Sequence, residues 1–146
     1  MLDRNAIRAL IPHQGAMCLL ERVRDWSATH IAAYGLSHLD PENPLRRDGR
    51  LATICGCEYA FQAAALHGAL MGGAKPQPAG WLARLQIRQT GVQRLDDSEL
   101  GTLLVEATLE LAEPAGLIYG FRLQDERGLL LLEGRGTIVL PHEALP

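Results

Sequence analysis

Glu58 is the one acid in a long apolar run. From Leu51 to Met71 the sequence reads LATICGCEYAFQAAALHGALM, where only Thr53, Glu58, Gln62 and His67 are clearly polar. An ionised carboxylate in such surroundings is costly unless paired, so Glu58 is either compensated or held protonated at neutral pH. A carboxyl group in that position suits general acid–base chemistry. Gln62 follows at a spacing of four, one turn along on the same helix face, where its amide can orient the carboxyl by a hydrogen bond. Cys55 and Cys57 are two apart; they point away from each other, cannot share a metal, and read as small buried apolar residues. His67 lies nine positions past Glu58, on the opposite face, and is expected in the core or at an interface. His30, His38 and His142 are expected to be solvated.

A segment apolar nearly all round is a helix buried in a core rather than lying on a surface. It is expected to begin near Leu51, with Asp48 as a possible cap, and to end at Gly72-Gly73. Before it, residues 3–9 read as a short helix capped by Asp3 and ended by Pro12. Residues 17–39 read as extended chain with a turn near 25–28, and residues 40–50 as a loop. After it the period changes to two: Trp81, Ala83, Leu85 and Ile87 alternate with their neighbours as a half-buried strand. Three more strands follow, near 103–111, 117–123 and 129–140. Short turns between sequential strands predict an antiparallel meander. A single sheet with one apolar helix must wrap around it. The expected fold is therefore α+β, a hot-dog fold in which a curved antiparallel β-sheet wraps around one long central helix, with 1–146 as a single domain. An acid in that helix needs an opening, expected at a subunit interface.

The bulk numbers narrow the function classes. The chain has 146 residues, 47% hydrophobic and 21% charged, with a net charge of −3. That composition excludes disorder and gives no electrostatic footprint for nucleic acid. The 13 arginines are scattered, and the tight cluster Arg46, Arg47 and Arg50 has Asp48 within it and reads as a solvated loop. A membrane span would need about 20 predominantly apolar residues, and Glu58, Gln62, His67 and two glycines interrupt the candidate stretch; no membrane association is expected. Three cysteines, an odd number, do not form a disulfide framework. The N-terminus lacks the apolar core of a signal peptide, so a cytoplasmic location is expected.

Two segments together carry a family resemblance. Ile11-Pro12-His13-Gln14-Gly15-Ala16-Met17-Cys18-Leu19-Leu20-Glu21-Arg22-Val23 resembles the N-terminal segment of bacterial 3-hydroxyacyl-ACP dehydratases of the hot-dog superfamily, with its Pro-His pair and acidic-Arg-Val end. Gly56-Cys57-Glu58-Tyr59-Ala60-Phe61-Gln62-Ala63-Ala64-Ala65-Leu66-His67-Gly68 resembles the dehydratase helix, whose signature is Glu-x-x-x-Gln followed by alanines. The nearest likeness is to the branch found in aryl-polyene and related lipid clusters. There are two departures. The loop Asn43–Leu51 has no His, where the housekeeping enzymes carry a Gly-His segment. Leu51-Ala52-Thr53 stands where the branch carries a Pro and an aromatic residue.

The resemblance implies dehydration of a 3-hydroxyacyl thioester carried by acyl carrier protein or CoA. The base takes a proton from C2, and an acid protonates the departing C3 hydroxyl. His13 is the candidate base and Glu58 the candidate acid. Gln62 is an orienting residue, and backbone N–H groups around Cys55, Gly56 and Cys57 at the helix N-terminus are candidates to hold the thioester oxygen. No metal or redox cofactor is needed. The implied partners are a carrier-borne substrate and either a second copy or a related hot-dog subunit, with the arginine cluster as an alternative docking point for the carrier. Two rivals stand on the same fold: an acyl thioesterase in which the helix carboxylate activates water, and a non-catalytic acyl-binding partner of a heterodimer.

Overall fold

The computed structural model describes residues 2–12, 15–75 and 80–140. Helix α1 (Arg4–Leu10) starts where expected, because the Asp3 carboxylate accepts a hydrogen bond from the Ala6 N–H at 2.9 Å. It ends at Ile11, whose extended backbone is the conformation favoured before a proline. Strands β1 (Leu20–Trp26) and β2 (His30–Gly35) form a hairpin. Helix α2 (Gly56–Met71) comes next, followed by β3 (Trp81–Gln89), β4 (Leu103–Glu113), β5 (Gly116–Gln124) and β6 (Leu130–Val139). The six strands form one sheet in the order β1-β2-β4-β5-β6-β3, every neighbour antiparallel.

Helix α2 lies against β1, β2, β4 and β5. Its alanines, Ala60, Ala63, Ala64 and Ala69, are buried and let the helix axis come close to the sheet, while Tyr59 and Leu66 supply bulk. The inner faces of the strands answer with Ile31, Ala33, Val105, Ala107, Phe121 and Leu123. Gly72 and Gly73 end the helix, and Gly73 takes φ +82°, the left-handed turn that glycine adopts at low cost. None of the helices among the described residues is long and apolar enough to cross a membrane.

Three expectations are corrected. The helix begins at Gly56, not near Leu51, and Asp48 does not cap it. Asp48 sits at φ +52° in the turn bridged by Arg47 and Arg50. Leu51 donates to the Asp96 carboxylate and Ala52 bridges Arg94, so these two residues are held extended, and a 3₁₀ turn over Thr53–Cys55 leads into α2. Only β4, β5 and β6 form a meander: β3 crosses to the far edge and pairs with β6, because residues 90–102 make a long connection instead of a tight turn. Finally, β3 is not half-buried. All nine of its residues are exposed, since it lies beyond the reach of α2.

Two glycines of β6 set the spacing at that edge. A Cβ on Gly134 would stand 2.3 Å from the Gln86 carbonyl oxygen of β3 and 2.9 Å from the Phe121 ring. A Cβ on Gly136 would meet the Phe61 ring at 3.0 Å. Gly134→Val is therefore expected to cost about 1–3 kcal/mol by overpacking, read by denaturant unfolding, and to speed amide exchange in 81–89 more than in β4. A variant with unchanged stability would contradict this packing.

Candidate functional site

Eleven of the sixteen residues of α2 are buried, so what remains is a narrow stripe. Glu58, Phe61, Ala65 and Gly68 are the half-exposed residues within it, at spacings of three, four and three. This is one face of the helix, and the sheet leaves it uncovered. Phe61 leans toward the β6–β3 edge, where it meets Phe121 edge-on at 5.9 Å between ring centres. Glu58 thus sits one turn before Phe61, at the N-terminal end of an apolar trough. The trough continues onto the exposed inner face of β3, with Leu82, Leu85 and Ile87. Glu58 makes no hydrogen bond or ion pair among the described residues. Glu58 is half-exposed rather than enclosed by the apolar core around it.

Gln62 has a different role from the one its spacing implied. Its side chain is fully buried; Oε1 accepts from the Leu19 N–H at 2.8 Å and Nε2 donates to the Met17 carbonyl at 2.5 Å. Its amide is spent on residues 17–19, not on Glu58. It ties α2 to the segment that follows His13, which itself lies outside the described residues together with Gln14. That segment is also held by Arg4, whose guanidinium donates to the Cys18 carbonyl at 2.9 Å.

The helix start is narrower than expected as an oxyanion cradle. The Cys55 N–H donates to the Ala52 carbonyl and the Gly56 N–H to the Thr53 carbonyl within the 3₁₀ turn, so two of the three amides are already engaged. Gly56 serves packing as well: a Cβ there would lie 2.8 Å from Leu123 Cδ2 and 3.0 Å from Leu132 Cδ2. Cys57 is buried, and burial, with Glu58 adding to it, pushes its thiol up to about 11, which makes it a poor nucleophile.

Several polar anchors escaped the sequence. Tyr59, fully buried, shares its hydroxyl with Ser37 Oγ at 2.8 Å and accepts from Asn43 Nδ2 at 3.1 Å; burial pushes the phenol up to about 12. This network fixes the loop before α2. The Arg46 side chain is not solvated but 15% exposed, reaching the Asp96 carboxylate at 3.6 Å and the His38 carbonyl at 3.2 Å. His38, expected in solvent, is fully buried, with Nε2 at 2.8 Å from the Gly101 carbonyl. His30 is half-buried and pairs with Glu106 at 2.9 Å. His67 is a core residue: Nε2 stands 2.9 Å from the Ser27 carbonyl and Nδ1 2.6 Å from the Tyr119 hydroxyl. His142 lies outside the described residues.

Comparison with known proteins now decides the family. A family model described as ApeP dehydratase, of the ApeP-like family, matches residues 5–144. The chain belongs to the ApeP-like dehydratase family. Among solved structures it is similar to the dehydratase heterocomplex ApeI:P from Xenorhabdus doucetiae, at 20% identity with a TM-score of 0.77, covering 98% of this chain and 93% of that one. A hypothetical thioesterase from Streptococcus pneumoniae TIGR4, solved with coenzyme A, is similar at 11% identity and a TM-score of 0.59, covering 84% and 86%. A thioesterase from Haemophilus influenzae is similar at 13% identity and 0.60, covering 85% and 80%. No curated protein matches in sequence. The fold is the hot-dog fold, and the reaction of the family is dehydration, on 3-hydroxyacyl substrates in polyene biosynthesis. The two thioesterases share the architecture alone.

The buried histidines give this dehydratase-family chain a defined acid sensitivity. Burial, the first cause in each case, holds His38 and His67 below the usual histidine value of 6.5. The unfolded chain then takes up protons before the folded one, so stability falls as pH drops through about 6.5 toward the lowered folded values. Asp96 is held far below the usual carboxylate range, chiefly by Arg94, and contributes only at much lower pH. Thermal unfolding followed from pH 7.5 to pH 5 (about two units below neutrality) is expected to show a falling midpoint, flattened at its upper end in His38→Asn. A flat profile in the wild-type chain would contradict it.

Proposed function

We propose that this chain dehydrates 3-hydroxyacyl groups presented as thioesters on an acyl carrier protein, with Glu58 as the acid that protonates the departing C3 hydroxyl and His13 as the base at C2. One observation carries the reading. The only charged side chain of α2 stands on the stripe of that helix the sheet does not cover, unpaired among the described residues, at the head of an apolar trough. An acyl chain fits along Phe61 and the inner face of β3, and its C3 hydroxyl can then approach Glu58. Hydroxide is a poor leaving group, so a carboxyl at this point supplies what the reaction lacks. Glu58 lies in the first turn of α2, at the positive end of the helix dipole, which would favour the enolate-like charge of a thioester bound beside it.

The trough is open in the single chain, and we propose that a second hot-dog subunit closes it. The described residues leave β3 without a neighbour on its outer side, and the similar Xenorhabdus assembly is a heterocomplex. Free Cys18, Cys55 and Cys57 suit a reducing compartment such as the cytoplasm.

The test is mass spectrometry of the acyl group after incubation with 3-hydroxyacyl carrier-protein substrates. Loss of one water is expected, and Glu58→Gln is expected to slow it about 10²–10⁴-fold with the fold intact. His13→Ala is expected to have an effect of similar size. Release of free acid and thiol would instead identify a hydrolase. Unchanged turnover of the assembly with a second hot-dog subunit when this chain carries Glu58→Gln, with circular dichroism unaltered, would identify a chain that only completes another subunit's site.

A Gln62→Leu variant separates the anchor from the acid. It removes the partners of Met17 and Leu19 and leaves the buried Leu19 N–H and the part-buried Met17 carbonyl without them, at a cost of about 1–3 kcal/mol for a buried group. A loss of several kcal/mol in urea unfolding is expected, whereas Glu58→Gln is expected to leave stability within about 0.5 kcal/mol. Equal stability losses for the two variants would contradict the division of roles.

A further inference from the structure

The two edges of the sheet are treated differently. The β1 edge is covered from within the chain: the Val23 N–H donates to the Leu2 carbonyl at 2.9 Å, and Asp3 bridges Arg22. The β3 edge has no such cover among the described residues, and Trp81 is 58% exposed, Leu82 42%, Leu85 36% and Ile87 36%. A bare edge with apolar side chains is a pairing surface. Its inner face explains why something docks there. Its outer face says what.

Pairing with β6 fixes which residues point outward. Arg84 lies opposite Thr137, Gln86 opposite Arg135 and Arg88 opposite Glu133. Trp81 lies opposite Val139 on the same face, so the outward row of β3 is Trp-Arg-Gln-Arg. Arg88 is paired with Glu133 of its own sheet, while Arg84 has no ion pair among the described residues. No acidic residue occurs between Glu58 and Asp96. Two copies of this edge joined about a two-fold axis would run antiparallel, and outward residues would face outward residues. In every such register each arginine faces another arginine, the glutamine or an uncharged residue, and never an acid. Like charges opposite one another oppose pairing, whereas opposite charges favour it.

We propose that the β3 edge selects, through Arg84 and Arg88, a related hot-dog subunit whose own edge strand carries acidic residues on its outward face, in preference to a second copy of this chain. This rests on the reading that β3 is where a second subunit closes the trough, and it assigns the charge that chooses that subunit. The apolar inner row supplies adhesion common to any hot-dog partner, and the arginine row supplies the choice.

The experiment uses the chain itself as the probe. Arg84→Glu/Arg88→Glu gives it an acidic edge, and Arg84→Glu alone keeps the Arg88–Glu133 pair in case the double variant folds poorly. Native mass spectrometry and sedimentation of the wild-type chain at low salt are expected to show weak self-association that strengthens as sodium chloride screens the arginines. An equimolar mixture of wild-type and variant chains is expected to give the mixed dimer at least tenfold in excess over the geometric mean of the two self-pairs. A statistical mixture, a mixture that remains monomeric, or a wild-type dimer already tight and insensitive to salt would overturn the proposal. Dehydration by the wild-type chain and its dependence on Glu58 are read in a separate assay, so failure of the charge selection leaves the reading of the site standing, and failure of the site is seen on its own.

Discussion

One constraint governs the structure: a single apolar helix must be buried, and a single sheet can cover only part of it. Strands β1, β2, β4 and β5 cover the alanine-rich side of α2. The sheet then runs on through β6, which meets the helix at Gly56 and Phe61, to the exposed edge strand β3. The leftover stripe through Glu58, Phe61, Ala65 and Gly68 follows from that geometry. So does the exposure of β3. The candidate site is the remainder of the packing problem: a carboxyl at one end, aromatic and aliphatic side chains along it, and an open side that a second molecule can close.

Polar groups buried near the helix make the arrangement specific. Gln62 grips both a carbonyl and an N–H of residues 17–19. Tyr59 joins Ser37 and Asn43 in the loop before α2, and His67 bridges Ser27 and Tyr119. Each bond spans elements that the apolar core alone would leave free to slide. A buried donor or acceptor without its partner costs about 1–3 kcal/mol, so the helix is held in one rotation about its axis. That rotation decides that Glu58, and not a neighbouring residue, faces the opening.

Much of this was legible in the chain. The Asp3 cap, the long apolar helix and the strands near 103–111 and 117–123 depend on local patterns of period and capping, and local patterns survive in a sequence. The acid in the apolar helix could be singled out for the same reason. What could not be read depends on partners far along the chain. The placement of β3 beside β6 is a choice among strand orders with the same periodicity. His38 is buried because a carbonyl 63 positions away meets it, and Gln62 turns from Glu58 because backbone groups 43 and 45 positions away claim its amide. The helix start was misplaced because Asp96, far downstream, holds Leu51 extended.

The central claim is that residue 58 stands on the open stripe where the acyl substrate binds. The most direct measurement places a thiol there, as Glu58→Cys with Cys55→Ser, and follows its reaction with a small charged thiol reagent in the purified, assembled protein, with and without a 3-hydroxyacyl pantetheine thioester. The account predicts ready reaction in the folded protein and slowing by the thioester in proportion to occupancy. A thiol at 58 that is inert in the folded protein, or whose reaction ignores a thioester that the wild-type protein dehydrates, would contradict it.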